Sequence, residues 1–247
     1  MKQELQKAML IWMFLSKYDK DALHILGFET FSEAFNVLGL SIWVKPLSIR
    51  NYRDEFDPVF DNKRKGWHKR TMYQSRKDLL EKYNNYSLDE FTTLVKTIIY
   101  KNPDIELLDE KIDFIENSQN TFAKRLITGQ AAEQYFRENY SKITIFNWAL
   151  LEDTTKLGCG FDFKLNFDNK FYAIEVKGLN KNTGSIWITE KEYKIANSLK
   201  ENYFIFLVKN FIDEPEHNIF NNPISHPDLN FIKQEKTIIQ LNWTARI

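Results

Sequence analysis

Residues 160–177 read GFDFKLNFDNKFYAIEVK, and this stretch decides the fold of the second half of the chain. Apolar and polar residues alternate on both sides of Asp168-Asn169, a pair that suits a two-residue turn between antiparallel strands. If these two residues form the turn, the numbers of paired residues sum to 337, as 168 and 169 do. The pattern therefore predicts a β-hairpin with a fixed register.

This register gives the predicted hairpin two different faces, because successive side chains of a strand point to opposite sides. One face is almost entirely apolar and is expected to lie on the core, with the pairs Phe161–Val176, Phe163–Ile174, Leu165–Tyr172 and Phe167–Lys170. The opposite face carries the pairs Asp162–Glu175, Lys164–Ala173 and Asn166–Phe171. Lys177 lies two residues beyond Glu175, so two carboxylates and a lysine are predicted to share a face.

Asp162, Glu175 and Lys177 are the residue types of a hydrolytic metal centre. Directly opposed residues have Cβ atoms about 5 Å apart, where two carboxylates repel each other unless a cation lies between them. Mg²⁺ suits such a pair together with waters and a substrate phosphate. Lys177 is then placed to orient or help deprotonate a water with a lowered pKa and to stabilise the transition state. Glu133, on the preceding helix, is a candidate for an outer-sphere or second-metal carboxylate.

The competing interpretation is structural. A solvated strand face with a surface Glu–Lys pair would show the same residues, and such a pair contributes only about 0–1 kcal/mol. The position of the hairpin in the chain favours the metal centre, because it lies in an αβββαβ order of predicted elements. Their predicted bounds are residues 122–140, 143–150, 161–167, 171–179, 189–200 and 203–209.

Two of these elements have clear local signals. Thr189 and Glu192 form a capping box that opens the second helix. The strand at 203–209 is too apolar for an exposed edge, so we expect it inside a mixed sheet. Beyond it, Pro215, Pro223 and Pro227 predict a long loop, and residues 237–243 are expected to add a strand.

The motifs and the element order resemble the PD-(D/E)XK nuclease superfamily, which has the restriction-endonuclease-like fold. The resemblance is carried by residues 160–162 (GFD) and 174–177 (IEVK), in a region that covers over a third of the chain. Gly178, residues 186–192 and the apolar strand look like a subgroup related to the C-terminal domain of the plant protein NO VEIN. Phe161 stands where the superfamily motif has proline.

The resemblance implies a role for each matching residue. It implies that Asp162, Glu175 and the main-chain carbonyl of Val176 bind the metal and that Lys177 is catalytic. Glu133 matches the acid that many members carry on their first helix. The implied reaction is hydrolysis of a phosphodiester bond that leaves 5′-phosphate and 3′-hydroxyl ends.

The chain before the hairpin region is predicted to be mostly helical. Apolar residues at helical spacing predict helices around residues 5–15, 31–38, 49–54 and 88–100, with Gly39 as a stop and Ser48 as an N-cap. We therefore predict a helical DNA-recognition domain at 1–118 and a PD-(D/E)XK catalytic domain at 119–247. The polar residues 116–120 are the predicted hinge.

The N-terminal region also contains the candidate DNA-binding residues. Residues 31–56 are compatible with a helix–turn–helix whose second helix would expose Arg50, Asn51 and Arg53, side-chain types that read base edges. Residues 62–77 contain seven basic residues and no acidic one, a composition that attracts phosphates. In isolation an ordinary solvated loop is the better explanation of this cluster, but beside a nuclease core phosphate binding is favoured. The candidates are Ser48, Arg50, Asn51, Arg53, Lys63, Arg64, Lys65, Trp67, His68, Lys69 and Arg70.

Composition excludes several other classes of protein. With 34 Lys+Arg against 34 Asp+Glu in 247 residues, the chain is not a wholly basic nucleic-acid coat protein. The lone Cys159 excludes a disulfide scaffold and a Cys-rich zinc module and fits a reducing compartment. The longest apolar run, residues 8–15, is shorter than the ~20 residues of a membrane span. We expect a cytoplasmic bacterial protein without membrane contact, in which this run is a buried helix.

Together with these patterns, the resemblance implies a type II restriction enzyme, an α+β endonuclease that cuts double-stranded DNA sequence-specifically with Mg²⁺. Mn²⁺ is expected to substitute, and Ca²⁺ is expected to support binding without cleavage. A double-strand cut by one centre per chain predicts a homodimer. A separate cognate DNA methyltransferase is a candidate partner.

Three alternatives remain open at this stage. The first is a nuclease that cuts only modified DNA. The second is a non-catalytic DNA-binding regulator on a nuclease-like scaffold, which the joint presence of Asp162, Glu175 and Lys177 disfavours. The third is an RNA-processing nuclease on the same core, which rests only on the versatility of folds.

Overall fold

The structure is a computed structural model that describes residues 3–67, 69–101 and 120–234. Within these ranges a helical N-terminal region is followed by a mixed five-stranded sheet with helices, which confirms the predicted α+β class. The helices are α1 (Gln3–Leu26), α2 (Phe31–Ser41), α3 (Pro46–Phe56), α4 (Gln74–Tyr83), α5 (Leu88–Lys101), α6 (Asn120–Asn139) and α7 (Glu190–Leu199).

The N-terminal helices follow the apolar spacing of the sequence. Helix α1 contains the apolar run, and every residue from Ala8 to Leu15 is buried. No helix in the described ranges is both long enough and apolar enough to cross a membrane. Helix α3 does not begin after a Ser48 cap as predicted, because Pro46 occupies its first turn and its fixed φ starts the helix three residues earlier. Helix α2 ends at Ser41, two residues after the predicted stop.

The strands are β1 (Leu150–Asp153), β2 (Phe163–Asn166), β3 (Phe171–Gly178), β4 (Tyr203–Lys209) and β5 (Glu216–Asn221), and they lie side by side in that order. Strands β3 and β4 are parallel, and the other neighbours are antiparallel. The β2–β3 ladder has the predicted register, with Phe163 opposite Ile174 and Leu165 opposite Tyr172. Strand β4 is an inner strand, as predicted.

Two strand predictions are wrong. The first strand does not span residues 143–150, because the Phe146 and Asn147 amides both donate to the Ile143 carbonyl and form a turn. Trp148 then has a φ of 69°, which is incompatible with an extended chain, and the strand begins only at Leu150. The loop predicted after β4 contains strand β5, which covers the second edge of β4. The strand predicted at 237–243 lies outside the described residues.

The sheet is packed between helices on both faces. On one face Phe163, Ile174 and Phe206 join the main core, in which Phe136 of α6 lies 5.0 Å from Phe163 between ring centroids. On the other face a smaller cluster contains Ala173, Tyr203 and Ile205 with Ala196 of α7. The residues of β3 therefore alternate between an α6 side and an α7 side.

Helix α2 is bound directly to the loops that follow β3 and β4. The buried Glu33 carboxylate forms an ion pair with Lys124 of α6 at 2.7 Å and accepts a hydrogen bond from Asn180. Asn36 donates to the carbonyls of Phe211 at 2.9 Å and Asp213 at 2.7 Å. The N-terminal helices and the sheet also share one apolar core. The predicted domain boundary at 118/119 and residues 116–119 of the predicted hinge lie outside the described residues.

The close approach of α6 to the end of β3 gives a stability prediction. A Cβ atom added at Gly178 would lie 2.8 Å from the Thr128 carbonyl oxygen and 3.2 Å from the Ala132 Cβ, whereas one added at Gly129 would meet nothing within 4 Å. We expect Gly178→Ala to destabilise the fold by about 1–3 kcal/mol through overpacking. Gly129→Ala should stabilise it by up to about 1 kcal/mol, because alanine favours a helix interior.

Urea unfolding of both variants checks this prediction. If Gly178→Ala were as stable as the original protein, the tight contact between α6 and β3 would be contradicted.

Candidate active site

The candidate site lies where β2 begins and β3 ends. Asp162 immediately precedes β2, and its carboxylate Oδ2 accepts a hydrogen bond from the Val176 amide at 2.8 Å. The Asp162 amide donates to the Ile174 carbonyl at 2.9 Å, one residue away from the partner that the hairpin register predicts. This shift turns Phe161 away from the α6 side, where it was predicted, and it packs in the cluster beneath α7 instead.

Lys177 joins two carboxylates at this end of the sheet. Its Nζ atom lies 2.5 Å from Glu175 Oε1 and 2.9 Å from Glu192 Oε2. Glu175 is 4% exposed, and the Lys177 side chain is 17% exposed. Thr189 and Glu192 form the predicted capping box of α7. Glu192 Oε2, which accepts from Lys177, therefore also accepts a hydrogen bond from the Thr189 amide at 3.0 Å. The lysine therefore connects β3 to the first turn of α7.

The carboxylates of the site raise one another's pKa values. Burial, followed by the negative charge of Asp162, raises the pKa of Glu175 to about 8 despite the attraction of Lys177. Burial likewise raises the pKa of Asp162, although the Val176 amide and the charge of Lys177 oppose the shift. On α6, burial and then the charge of Asp162 raise the pKa of Glu133 to about 7. The site thus holds more negative charge than its cations neutralise.

The same negative charges stabilise the protonated form of Lys177. Burial alone would lower the pKa of Lys177, but the charges of Glu175 and Glu192 outweigh it and raise the pKa above its ordinary value. Lys177 is therefore an ammonium ion that donates hydrogen bonds. An ammonium group has three N–H donors, and the two carboxylates engage two of them.

Glu133 belongs to a second charged group beside Asp162. Arg137, one turn further along α6, lies 3.9 Å from Glu133 and 2.7 Å from Asp153 at the end of β1. Asp153 also raises the pKa of Glu133, so the two carboxylates lie close enough to repel each other. The structure thus brings the four residues predicted as catalytic, Glu133, Asp162, Glu175 and Lys177, to one end of the sheet.

Sequence reasoning missed three members of this group. Glu192 was identified only as a capping residue, and its contact with Lys177 depends on how α7 lies against β3. Arg137 and Asp153 were not singled out. The i,i+4 spacing of Glu133 and Arg137 on one helix was the available signal for Arg137, and Asp153 had none because its strand was misplaced.

The donor atoms fit a hard divalent cation. Asp162 and Glu175 offer carboxylate oxygens, and a cation between them would relieve the repulsion that raises their pKa values. In the described ranges no three or more His, Cys, Asp or Glu side chains form a ready metal cage. Mg²⁺ does not require one, since it commonly keeps several waters and binds only one or two carboxylates. The Val176 main-chain carbonyl stays a predicted ligand.

The candidate DNA-binding residues fall into two groups. Arg50, Lys63, Lys65, Lys69 and Arg70 are exposed, while Ser48, Asn51 and Trp67 are half-buried. The Arg70 guanidinium lies 4.9 Å from the Trp67 ring centroid. His68 lies outside the described residues.

Two of the candidate arginines, Arg53 and Arg64, form ion pairs within the protein. Arg53 was predicted to be exposed, but its side chain is only 12% exposed, pairs with Asp54 at 2.7 Å and lies over the Phe31 ring. Arg64 pairs with the buried Asp57 at 2.9 Å and with Asp19. These partners come from α1, α2, α3 and the 3-10 helix Asp57–Val59, so the two guanidinium groups hold the N-terminal region together.

The raised pKa of Glu175 predicts how a neutral replacement changes stability. A folded-state pKa above the ordinary 4.5 means that the folded protein binds more protons than the unfolded chain between pH 4.5 and about 8. The original protein should therefore lose stability as the pH rises through this range. Glu175→Gln removes that loss and should be more stable near pH 8 by about 1 kcal/mol or more.

Urea unfolding below and above neutral pH, in the presence of a metal chelator, tests this expectation. Glu190→Gln is the matched control, since Glu190 is an exposed residue of the same helix turn that contains Glu192. A Glu175→Gln variant that is no more stable than the original protein at high pH would contradict the electrostatic description of the site.

Comparison with known families supports part of the predicted resemblance. Residues 129–220 match the family model described as Protein NO VEIN, C-terminal. The matched segment is shorter than half of the chain, and it contains Glu133, Asp162, Glu175, Lys177 and Glu192. No curated protein and no solved structure gave a match. Over this segment the chain is similar to the NO VEIN C-terminal domain, as Gly178 and residues 186–192 predicted.

Proposed function

We propose that this chain is a divalent-cation-dependent endonuclease of double-stranded DNA, of the PD-(D/E)XK class and the type II restriction kind. One observation carries the proposal: Asp162, Glu175 and Lys177 meet at the end of a buried hairpin. Unbalanced negative charge in a buried place is unfavourable for folding, and perturbed carboxylates of this kind cluster at functional sites. A structural ion pair alone would need only one carboxylate for each cation.

In this proposal Asp162, Glu175 and the Val176 carbonyl hold Mg²⁺, with Mn²⁺ as a substitute. When bound, such a cation supplies Lewis-acid stabilisation of the negative charge that develops on the phosphate. The positions along the hairpin support this assignment, because Asp162 immediately precedes β2 and Glu175 lies near the end of β3, so both carboxylates lie at one end of the sheet. Glu133 is assigned to an outer position, where it accepts a hydrogen bond from a water.

Lys177 is assigned to the attacking water and the phosphate. Glu175 and Glu192 engage two of its three donors at 2.5 and 2.9 Å, and the third is assigned to the reacting groups. The water loses a proton to bulk solvent as its oxygen forms a bond to phosphorus. The bond between phosphorus and the 3′ oxygen breaks, and that oxygen takes up a proton from solvent. The products are a 5′-phosphate and a 3′-hydroxyl. Glu192 is a positioning residue, since it acts by orienting Lys177.

DNA binding is assigned to the N-terminal helices. The exposed cations Arg50, Lys63, Lys65, Lys69 and Arg70 are the proposed phosphate and base contacts. A two-fold homodimer would supply the second centre that a double-strand cut requires. A separate methyltransferase would protect the recognition site, and the proposed compartment is the bacterial cytoplasm.

A digest of plasmid and phage DNA with Mg²⁺ tests the proposed function. The original protein should give discrete fragments, and Lys177→Ala should reduce cleavage by roughly a hundred-fold or more because the transition state loses its ammonium ion. Lys164→Ala is the control, since Lys164 lies on the neighbouring strand and pairs only with the surface residue Glu152 among its described ion pairs. It should cut normally.

DNA binding measured with Ca²⁺ separates the outcomes. Lys177→Ala should still bind DNA, because the residue acts on the reaction and not on the duplex as a whole. If the original protein bound DNA tightly and cut neither modified nor unmodified DNA, the nuclease proposal would fail and a DNA-binding regulator would replace it.

A further inference from the structure

Helix α2 ends in a Schellman turn with an unusual residue at its key position. The Val44 amide donates to the Gly39 carbonyl at 2.8 Å, and the Trp43 amide donates to the Leu40 carbonyl at 3.1 Å, which are the two bonds that define this turn. The residue in the left-handed conformation is Trp43, with a φ of 62°. Glycine is the usual residue there, because a Cβ atom makes this conformation unfavourable.

The turn is held rigidly by its neighbours. A Cβ atom at Gly39 would lie 2.8 Å from the Val44 carbonyl oxygen and 2.9 Å from the Cα atom of Pro46. The backbone of residues 44–46 therefore packs directly against Gly39 of α2. Helix α3 begins directly at Pro46. Trp43 therefore lies at a fixed point between the two helices that were predicted to form a helix–turn–helix, and the side chain is 65% exposed.

This fixed point lies beside the candidate active site. The Arg137 guanidinium lies 5.6 Å from the centre of the Trp43 ring, within the range of a cation–π contact. The same guanidinium contacts Glu133 and Asp153, and its charge acts on Asp162. One side chain thus separates the indole from the proposed catalytic carboxylates.

We propose that Trp43 is a nucleobase-stacking residue that holds DNA at the active site, an inference that rests on the proposed nuclease function. Most of the indole surface contacts no protein, so it contributes little to the core. An exposed aromatic ring beside a phosphate-processing centre offers a face on which a base that has left the duplex stack can lie. Arg137 fixes the orientation of the ring.

A second tryptophan in the chain provides a matched control. Trp148 also has a left-handed backbone, with a φ of 69°, and is 90% exposed. It precedes β1 at Leu150, whereas the candidate site lies at the other end of that strand, at Asp153. The two residues therefore share their type, conformation and exposure, but only Trp43 lies beside the carboxylates.

The test compares Trp43→Gly, Trp43→Phe and Trp148→Gly in the full chain. Glycine suits the left-handed position, so both glycine variants should fold, with melting temperatures within a few degrees of the original protein. With Ca²⁺ and a short fluorescein-labelled duplex cut from plasmid DNA, Trp43→Gly should bind about five-fold or more weakly, as expected for loss of one stacked base. Trp43→Phe should recover part of the affinity, and Trp148→Gly should bind normally.

The results for the variants and for the original protein test the Trp43 assignment and the nuclease proposal separately. Equal affinity of Trp43→Gly and the original protein, or an equal loss in Trp148→Gly, would overturn the assignment of Trp43 while leaving the nuclease proposal intact. Failure of the original protein to bind or cut any DNA would overturn the nuclease proposal itself. A phenylalanine variant as weak as the glycine variant would show that aromatic stacking is not the reason for the loss.

Discussion

Lys177 lies between the carboxylates of Glu175 and Glu192, and the arrangement of this end of the molecule depends on that interaction. It joins the end of a central strand to the first turn of α7, where Glu192 also caps the helix. Without the ammonium ion, the buried carboxylate of Glu175 would face the half-buried carboxylate of Glu192 close to Asp162, and an uncompensated buried charge is strongly unfavourable for folding. The single positive charge of Lys177 compensates only part of the negative charge of these carboxylates. The remaining negative charge is what a bound divalent cation would neutralise.

The rest of the fold keeps this group in place. The parallel pairing of β3 and β4 buries the strand that carries Glu175, and α6 lies so close to Gly178 that a methyl group would not fit. Helix α2 is anchored to the loops after β3 and β4 through Glu33 and Asn36. The N-terminal helices therefore share an apolar core with the elements that carry the candidate site, and they bring Trp43 next to Arg137.

The parts of this arrangement that the sequence predicted are those set by local patterns. The hairpin register followed from alternation around Asp168-Asn169, and the start of α7 followed from its capping box. The parts it missed depend on contacts between distant residues. The Arg53 side chain is largely buried because Phe31, 22 residues earlier, and Asp57 lie against it. Asp162 is shifted from its predicted pairing because its amide donates a hydrogen bond to the Ile174 carbonyl. Glu192 contacts Lys177 only because α7 packs beside β3. The first strand was misplaced because Trp148 adopts a left-handed conformation that no periodicity reveals.

If Asp162 and Glu175 form a site for a hard divalent cation, the protein should bind Mn²⁺, which can be measured directly. Electron paramagnetic resonance of free Mn²⁺ should show a site in the original protein that Asp162→Asn weakens at least about ten-fold. Asp168→Asn, at the exposed turn of the same hairpin, should bind Mn²⁺ like the original protein. Equal Mn²⁺ binding by all three proteins, or binding by none of them, would contradict the account.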